Sequence, residues 1–126
     1  MLTVKGSKVN MRSGPGLTYP IIWEYYDGFP FKVLKKKGKW VKVRDFEKEE
    51  GWIHKSYLVN KPSMIVKIKS KGKVNIRSGP GKEFKKVGEA YYGVVFESVK
   101  RKSGWEKIRH ESGLVGWVKR NLLWGY

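Results

Sequence analysis

The sequence has no cysteine among its 126 residues, and this absence excludes several kinds of site. Without cysteine the chain forms no disulfide, performs no thiol chemistry and lacks the ligands of the usual zinc frameworks. Histidine is also scarce: His54 and His110 are the two in the chain, and neither has a histidine at the matching position of the internal repeat described below. A repeated metal or catalytic site is therefore not indicated, and no cofactor is expected.

Long apolar runs are missing as well. No stretch approaches the roughly 20 apolar residues that a membrane span requires, so no transmembrane segment is predicted. The first five residues, MLTVK, also lack the apolar core of a secretory signal. The sequence leaves two locations open, namely a cytoplasmic protein or the mature form of an exported protein whose signal was replaced by Met1.

Acidic residues are few. Eleven Asp and Glu stand against 28 Lys and Arg, which leaves a formal charge of +17, and both halves of the chain share the excess. Such a surface attracts polyanions. The charge indicates nucleic acid, anionic lipid surfaces or acidic cell-wall polymers as partner classes and does not choose among them.

What the chain does contain is one unit written twice. VNMRSGPG at residues 9–16 returns as VNIRSGPG at residues 74–81, and the copies stay aligned at a shift of 65 residues, with Gly28 matching Gly93 and Leu58 matching Leu123. Residues 1–60 are called repeat 1, residues 61–63 are predicted to be a linker, and residues 64–126 are called repeat 2. The unbroken shift predicts that every loop kept its length.

Each repeat is expected to consist of short strands without a helix, because no 3.6-residue apolar period persists. In repeat 1 the predicted strands are residues 2–4, 9–12, 21–26, 31–34, 40–44 and 51–53. Pro15 and Gly16 predict a type II turn, in which Gly16 supplies the positive φ.

Matching positions also predict which side chains face the core. Val43 and Ile108 stay apolar and are expected to point inward, as are Ile22 and Val87. Val41 matches Glu106, so this pair is expected to point outward, because burying an unpaired charge costs several kcal/mol. Trp52 and Trp117 each follow a glycine and are expected in the core, where the glycine lets another backbone approach closely.

A set of residues spaced along both repeats resembles a known family. The set in repeat 1 is Asn10, Arg12, Ser13, Gly14, Pro15, Gly16, Gly28, Trp40, Lys42, Val43, Gly51, Trp52, Ile53 and Leu58, and most of it recurs in repeat 2. It resembles the bacterial SH3-like domain. The resemblance implies an all-β fold of two tandem small, partly open β-barrels, found in exported proteins beside cell-wall enzymes and binding peptidoglycan or other envelope material.

Candidate ligand residues are the paired aromatic and arginine side chains, which offer stacking surfaces and a guanidinium fork for carboxylate or phosphate. They are Arg12, Tyr19, Tyr26 and Trp40, with Arg77, Phe84, Tyr91 and Trp105 in repeat 2. A structural role is the alternative. Arg12 would then pack over an aromatic ring or pair with Glu24, and the rings would be needed for the core of so small a barrel.

Two runs of cations occupy matching positions and form the predicted basic tips of two hairpins. They are Lys35, Lys36, Lys37 and Lys39 in repeat 1 and Lys100, Arg101 and Lys102 in repeat 2. Such a run is often only a solvated turn, but two on a chain of this charge indicate an electrostatic role on a polyanion.

No nucleophile, base and orienting group come together in the sequence, so an enzyme is not predicted. The favoured hypothesis is a non-catalytic binding module of the cell envelope, whose partner is a cell-wall glycan or peptide, an anionic cell-wall polymer or an envelope protein. On this hypothesis the protein is exported and periplasmic or cell-wall associated. Nucleic acid is the competing partner, and the oligomeric state stays open.

Overall fold

The computed structural model describes residues 1–69 and 73–126 and divides them into two compact units, residues 1–61 with Gly125 and residues 62–124 with Tyr126. Each unit is all-β and holds one seven-stranded antiparallel sheet that does not close into a barrel. Within the described residues, no helix is long and apolar enough to cross a membrane.

Repeat 1 contains seven strands. They are β1 (Leu2–Val4), β2 (Val9–Arg12), β3 (Ile21–Tyr25), β4 (Pro30–Lys37), β5 (Trp40–Arg44), β6 (Glu50–His54) and β7 (Leu58–Val59), with a 3-10 turn at Lys55–Tyr57. Their order in the sheet is β3-β2-β6-β5-β4-β1-β7. The predicted strands are confirmed, although β4 runs further than expected, into the first basic tip.

Repeat 2 repeats this arrangement. Its strands are β8 (Ser63–Val66), β9 (Val74–Arg77), β10 (Lys86–Ala90), β11 (Val95–Lys102), β12 (Trp105–Arg109), β13 (Val115–Lys119) and β14 (Leu123–Gly125), with a 3-10 turn at Arg120–Leu122. The order β10-β9-β13-β12-β11-β8-β14 is that of repeat 1. The duplication read from the sequence is therefore a duplication of topology.

The expectation that every loop kept its length is wrong at the first connection. Leu2 lies opposite Phe31 and Met64 lies opposite Phe96, so the first strands match at a shift of 62 residues instead of 65. The segment between the first and second strands is consequently three residues longer in repeat 2, and it includes residues 70–72, which lie outside the described residues. Short apolar strands carry too little sequence signal to show such a shift.

The expected core positions are only partly correct. Val43, Ile108, Trp52 and Trp117 are buried as predicted, but Ile22 and Val87 are exposed. The register of β2 with β3 passes from Trp23 to Ile21, so Ile22 is the extra residue of a bulge. A bulge interrupts the alternation of side chains, and Val87 occupies the matching bulge between β9 and β10.

Val41 and Glu106 were expected on the surface, and both are buried. Strand alternation puts residues two apart on the same face, so Val41 and Glu106 share the inward face with Val43 and Ile108. The Glu106 carboxylate is fully buried and is satisfied by the Ser98 hydroxyl at 2.5 Å and by Arg101 Nε at 2.9 Å. A charge occupies a core position here because repeat 2 supplies a partner for it.

Repeat 1 holds a different buried polar cluster, formed by Asp45 and Tyr25. The Asp45 carboxylate accepts the Tyr25 hydroxyl at 2.7 Å and the amides of Glu47 and Glu49 at 2.9 Å each. Burial, and then the hydrogen bond to Asp45, raise the pKa of Tyr25 well above its ordinary value. His110 and Ala90 stand at the matching positions of repeat 2, so this cluster belongs to repeat 1.

The raised pKa of Tyr25 predicts a loss of stability in alkali. Above about pH 10 the tyrosine ionises in the unfolded chain but not in the folded one. The free energy of unfolding contributed by Tyr25 is therefore present in full below about pH 10, and above about pH 10 it falls by about 1.4 kcal/mol for each pH unit. Urea unfolding between pH 9 and 11.5 should show this slope in the difference between the protein and Tyr25→Phe. Parallel pH dependences of the two proteins would contradict the assignment.

Candidate functional site

A surface groove of about 300 Å³ in repeat 1 brings together cationic, aromatic and apolar side chains. The side chains that line it are Lys8, Asn10, Arg12, Leu17, Trp40, His54, Ser56 and Tyr57. They come from the loop before β2, β2 itself, the loop after it, the start of β5, the end of β6 and the 3-10 turn. This set is called the repeat 1 groove below.

Three rings form one wall of the groove. Trp40 lies directly opposite His54 in the pairing of β5 with β6, and the two rings meet edge to face at 5.3 Å between centroids. His54 also lies 6.3 Å from Tyr57, again with the rings near perpendicular. Because Tyr57 is 47% exposed, the series ends in a ring face that is open to a ligand.

His54 is held in place by the turn that follows it. Its Nδ1 accepts the Ser56 amide at 3.2 Å and lies 2.8 Å from the Ser56 hydroxyl. Accepting an amide proton requires an unprotonated Nδ1, which leaves Nε2 as the ring nitrogen that carries the hydrogen. The imidazole therefore serves as a fixed donor and spacer between Trp40 and Tyr57.

Arg12 forms the polar side of the groove and also holds the loop that follows β2. Its Nη1 donates to the carbonyl oxygens of Tyr19 at 2.9 Å and Leu17 at 3.2 Å. The expected pairing with Glu24 is wrong, because the Glu24 carboxylate pairs with Lys8 at 2.8 Å. Both arginine bonds use one nitrogen, so the rest of the fork remains available to a ligand.

Arg77 takes the corresponding place in repeat 2 and donates to the Phe84 carbonyl oxygen at 3.1 Å. The carboxylate that matches Glu24 is Glu89, and it pairs with Lys86 at 2.6 Å and Lys73 at 3.0 Å. The hydrogen bonds from Lys86 and then Lys73 lower the pKa of Glu89. In both repeats the arginine therefore donates hydrogen bonds to carbonyl oxygens of the loop backbone and does not pair with the glutamate.

The predicted type II turn is wrong. The Gly16 amide donates to the Gly14 carbonyl oxygen at 2.9 Å, which puts Pro15 at the centre of a three-residue turn, and Gly16 does not adopt positive φ. Glycine is required two residues earlier: a Cβ on Gly14 would lie 2.3 Å from the ring of Tyr19, and one on Gly79 would lie 2.5 Å from that of Phe84. The motif therefore seats an aromatic ring against the backbone.

The other predicted aromatic residues are distributed differently. Tyr19 and Phe84 cover the glycines just named and are about half exposed. Tyr26 and Tyr91 are exposed at the turns that follow β3 and β10, and Tyr26 is not part of the groove lining. Trp105 lies half-buried opposite Lys119 in the pairing of β12 with β13. The structure thus brings Arg12 and Trp40 together and places Tyr26 elsewhere.

Both basic tips are two-residue hairpins. In repeat 1 the turn residues are Gly38, at φ +59°, and Lys39, whereas in repeat 2 Ser103 and Gly104 have φ of 51° and 82°. These values correspond to mirror-image turns of types II′ and I′. The tip residues Lys35, Lys36, Lys37, Lys39, Lys100, Arg101 and Lys102 are all exposed, although the Arg101 charge is committed to Glu106.

Six groove residues were not among the predicted ligand residues, namely Lys8, Asn10, Leu17, His54, Ser56 and Tyr57. His54 was not a candidate because repeat 2 has Lys119 at its place, and Tyr57 likewise has Leu122 at its place. The neglected signal is the difference between the repeats. Side chains that the fold does not require are free to diverge, and Leu17, His54 and Tyr57 become Lys82, Lys119 and Leu122.

A family model matches the chain twice. The model of the bacterial SH3 domain matches residues 5–59 and again residues 70–125. The chain is 32% identical over 125 residues to a protein of Bacillus subtilis (strain 168) named as an N-acetylmuramoyl-L-alanine amidase, YrvJ, a match that covers 92% of this chain and 24% of that protein.

A shorter match reaches a protein of Staphylococcus aureus named as the cell wall amidase LytH, with 43% identity over 44 residues, or 34% of this chain and 15% of that protein. Among solved structures, an NlpC/P60 family protein from Bacillus cereus ATCC 10987 aligns with 100% of this chain and 56% of its own at a TM-score of 0.44 and 16% identity, a likeness too low to carry an argument. The chain thus spans a quarter or less of the two amidase relatives. With both repeats matched separately by the family model, the chain belongs to the bacterial SH3 domain family and carries two copies of that domain.

Proposed function

We propose that this pair of bacterial SH3 domains is a non-catalytic, exported binding module of the cell envelope, and that the repeat 1 groove recognises peptidoglycan. The observation that carries the proposal is the series of rings Trp40, His54 and Tyr57 beside the free guanidinium donors of Arg12. Ring faces stack on sugar rings and peptide side chains, and an arginine fork binds carboxylates. Peptidoglycan combines glycan strands with carboxylate-bearing peptides.

The relatives support the envelope as the place of action, since both are named as amidases of cell-wall material. This chain matches only a part of each. A module that holds the wall while another part acts on it needs a groove of modest affinity. A cleft of about 300 Å³ that is lined by few but well-positioned polar groups meets this need.

A second function is favoured by a separate observation, the apolar edge of the repeat 1 sheet. β3 lies at the end of the strand order, and Ile21, Ile22 and Trp23 are each between 42% and 49% exposed. Repeat 2 has Lys86, Val87 and Gly88 at these places. Since charged edges discourage strand pairing and apolar ones invite it, β3 is a surface on which an envelope protein would dock.

The groove is tested by giving it the residues of repeat 2, in the variant Leu17→Lys/His54→Lys/Tyr57→Leu. These residues are compatible with the fold because repeat 2 carries them as Lys82, Lys119 and Leu122. Co-sedimentation with peptidoglycan sacculi stripped of anionic polymers should fall roughly tenfold or more, because ring and apolar contacts contribute about 1 kcal/mol each. Since the variant gains two positive charges, purely electrostatic binding would become stronger instead.

Two single variants serve as controls for this experiment. Tyr26→Leu removes an exposed ring outside the groove lining and should leave binding unchanged. Ile22→Lys places a charge on the apolar edge. If Ile22→Lys abolishes binding and the triple variant does not, the edge strand is the interaction surface and the groove proposal is wrong.

A further inference from the structure

Repeat 2 has a crevice of its own, of about 320 Å³, in which cations predominate. It is lined by Lys67, Gly104, Lys119, Arg120, Asn121 and Leu123, so half of the lining residues are positively charged and none is acidic. Two backbone hydrogen bonds frame it, from the Lys67 amide to the Leu122 carbonyl oxygen at 3.1 Å and from the Arg120 amide to that of Gly104 at 2.9 Å. This set is called the repeat 2 crevice below.

The charges of the crevice are not neutralised from within repeat 2. Glu89 pairs with Lys73 and Lys86, Glu97 with Arg109, and Glu106 with Arg101. Across residues 1–69 and 73–126, no carboxylate forms a salt bridge with Lys67, Lys119 or Arg120. Three like charges around one concave surface repel each other and attract an anion that lies between them.

Comparison with repeat 1 shows how the crevice differs from the groove. The backbone around the two 3-10 turns is held in the same way. The amides of Lys5 and Lys55 in repeat 1 donate the hydrogen bonds that the amides of Lys67 and Arg120 donate in repeat 2. The imidazole of His54 is replaced by the ammonium group of Lys119, opposite the tryptophan of the neighbouring strand in each case.

A second exchange removes a lysine side chain from this surface. Lys39 of repeat 1 gives way to Gly104, and a Cβ built on Gly104 would have nothing within 4 Å. At this surface repeat 2 thus carries Lys67, Lys119 and Arg120 where repeat 1 carries Lys5, His54 and Lys55, and it lacks the side chain of Lys39.

We propose that the repeat 2 crevice binds the phosphodiester groups of an anionic cell-wall polymer. This rests on the proposed envelope function and assigns the two repeats different ligands. A phosphodiester is ionised at any physiological pH, and its two free oxygens accept from the Arg120 fork and from either lysine.

The lining also argues against single-stranded nucleic acid, the other common polyphosphate. Proteins that bind single strands combine a cationic groove with aromatic side chains on which the bases stack. The six residues of the crevice include no aromatic side chain. Its chemistry fits a polymer that consists of phosphate and polyol without bases.

The test uses the intact chain and a short synthetic poly(glycerol phosphate) as the probe. Lys67→Gln/Lys119→Gln removes two charges from the crevice, and Lys100→Gln/Lys102→Gln removes two from the basic tip of the same repeat. The crevice variant should lose roughly tenfold in affinity, and the slope of log affinity against log salt should fall by about two. The loss of affinity in the tip variant, expressed as a logarithm, should be less than half of the loss in the crevice variant.

Three outcomes would overturn the proposal. Equal losses for both variants would show that only the overall charge matters, and equal affinity for polygalacturonate would show that phosphate is not selected. Tighter binding of a single-stranded oligonucleotide through the same lysines would replace the cell-wall polymer by nucleic acid. The crevice variant should still bind stripped sacculi and the groove variant should still bind poly(glycerol phosphate), so either proposal can fail without the other.

Discussion

Gly51→Ala is expected to unfold repeat 1 or nearly so, with a loss of about 3 kcal/mol in the free energy of unfolding. An added Cβ would lie 2.4 Å from Cγ of Met11 and 2.9 Å from the carbonyl oxygen of Arg12. The methionine side chain can move only within a filled core, and the carbonyl belongs to β2 itself, which pairs with β6 at this point. A domain of about 60 residues has a stability of only a few kcal/mol in total, so this loss is a large fraction of it.

Amide hydrogen exchange is the appropriate measurement, because it reports on each repeat separately in a chain whose unfolding need not be two-state. Protection should fall across β2, β5 and β6 and much less in repeat 2. Gly16→Ala is the matched control: Gly16 has no positive φ, and its nearest neighbours lie at 3.5 Å or more from the added Cβ. If the two variants lose similar protection, the close approach at Gly51 is not what requires glycine.

Arg101→Ala is expected to destabilise repeat 2 by about 2 to 4 kcal/mol, because removing one partner leaves an uncompensated charge in the interior. The carboxylate of Glu106 is fully buried, and Arg101 Nε donates to both of its oxygens at 2.9 and 3.0 Å. Arg101 also donates to the Tyr126 carbonyl oxygen and lies 4.6 Å from the centroid of the Tyr126 ring. Lys100→Ala, at an exposed neighbouring position, should have almost no effect.

The same cluster is expected to tolerate complete replacement. Ser98→Val/Glu106→Val gives repeat 2 the residues that repeat 1 carries as Val33 and Val41. Replacing a buried ion pair by apolar side chains is often neutral or stabilising, since no charge has to be removed from water. Thermal unfolding should therefore rank Arg101→Ala lowest and the double valine variant at or above the unmodified protein. Similar melting of Arg101→Ala and Lys100→Ala would show that the ion pair contributes nothing.

The errors made from the sequence share a physical cause. Ile22 and Val87 were assigned to the core because they are apolar at matching positions, but each is the extra residue of a bulge. Bulges depend on the register between two strands, and register is a property of the pair instead of either strand alone. The shift of the first strands, β1 and β8, is likewise defined only by their pairing with β4 and β11.

Glu106 shows a different limit. The charge of Glu106 favours a surface position, whereas strand alternation favours a core position. Burial of its carboxylate depends on the hydrogen bonds from Ser98 and Arg101. Ser98 is eight residues away, and both partners belong to the neighbouring strand β11. Only pairing of β11 with β12 makes a partner for this carboxylate available.

Some residues of the candidate site were predicted from the sequence and others were found only in the structure. Arg12 and Trp40 were predicted from their chemistry, a guanidinium fork and an aromatic ring, and both do line the repeat 1 groove. Leu17, His54, Ser56 and Tyr57 also line the groove and are the lining residues that differ in repeat 2. Similarity between repeats identifies what the fold needs, whereas a binding surface on one repeat is found in the differences.

The one-dimensional pattern was sufficient for the duplication, the all-β class and the family, because these follow from local signals: alternation of apolar residues, turn residues at set positions and a motif written twice. The pairing of strands decided which side chains are neighbours. It set the bulges, gave Glu106 its partner, brought His54 between Trp40 and Tyr57, and placed Lys119 with Lys67 and Arg120 around one crevice. Most of these contacts join residues on different strands or turns, so their chemistry emerges only when the sheet has formed.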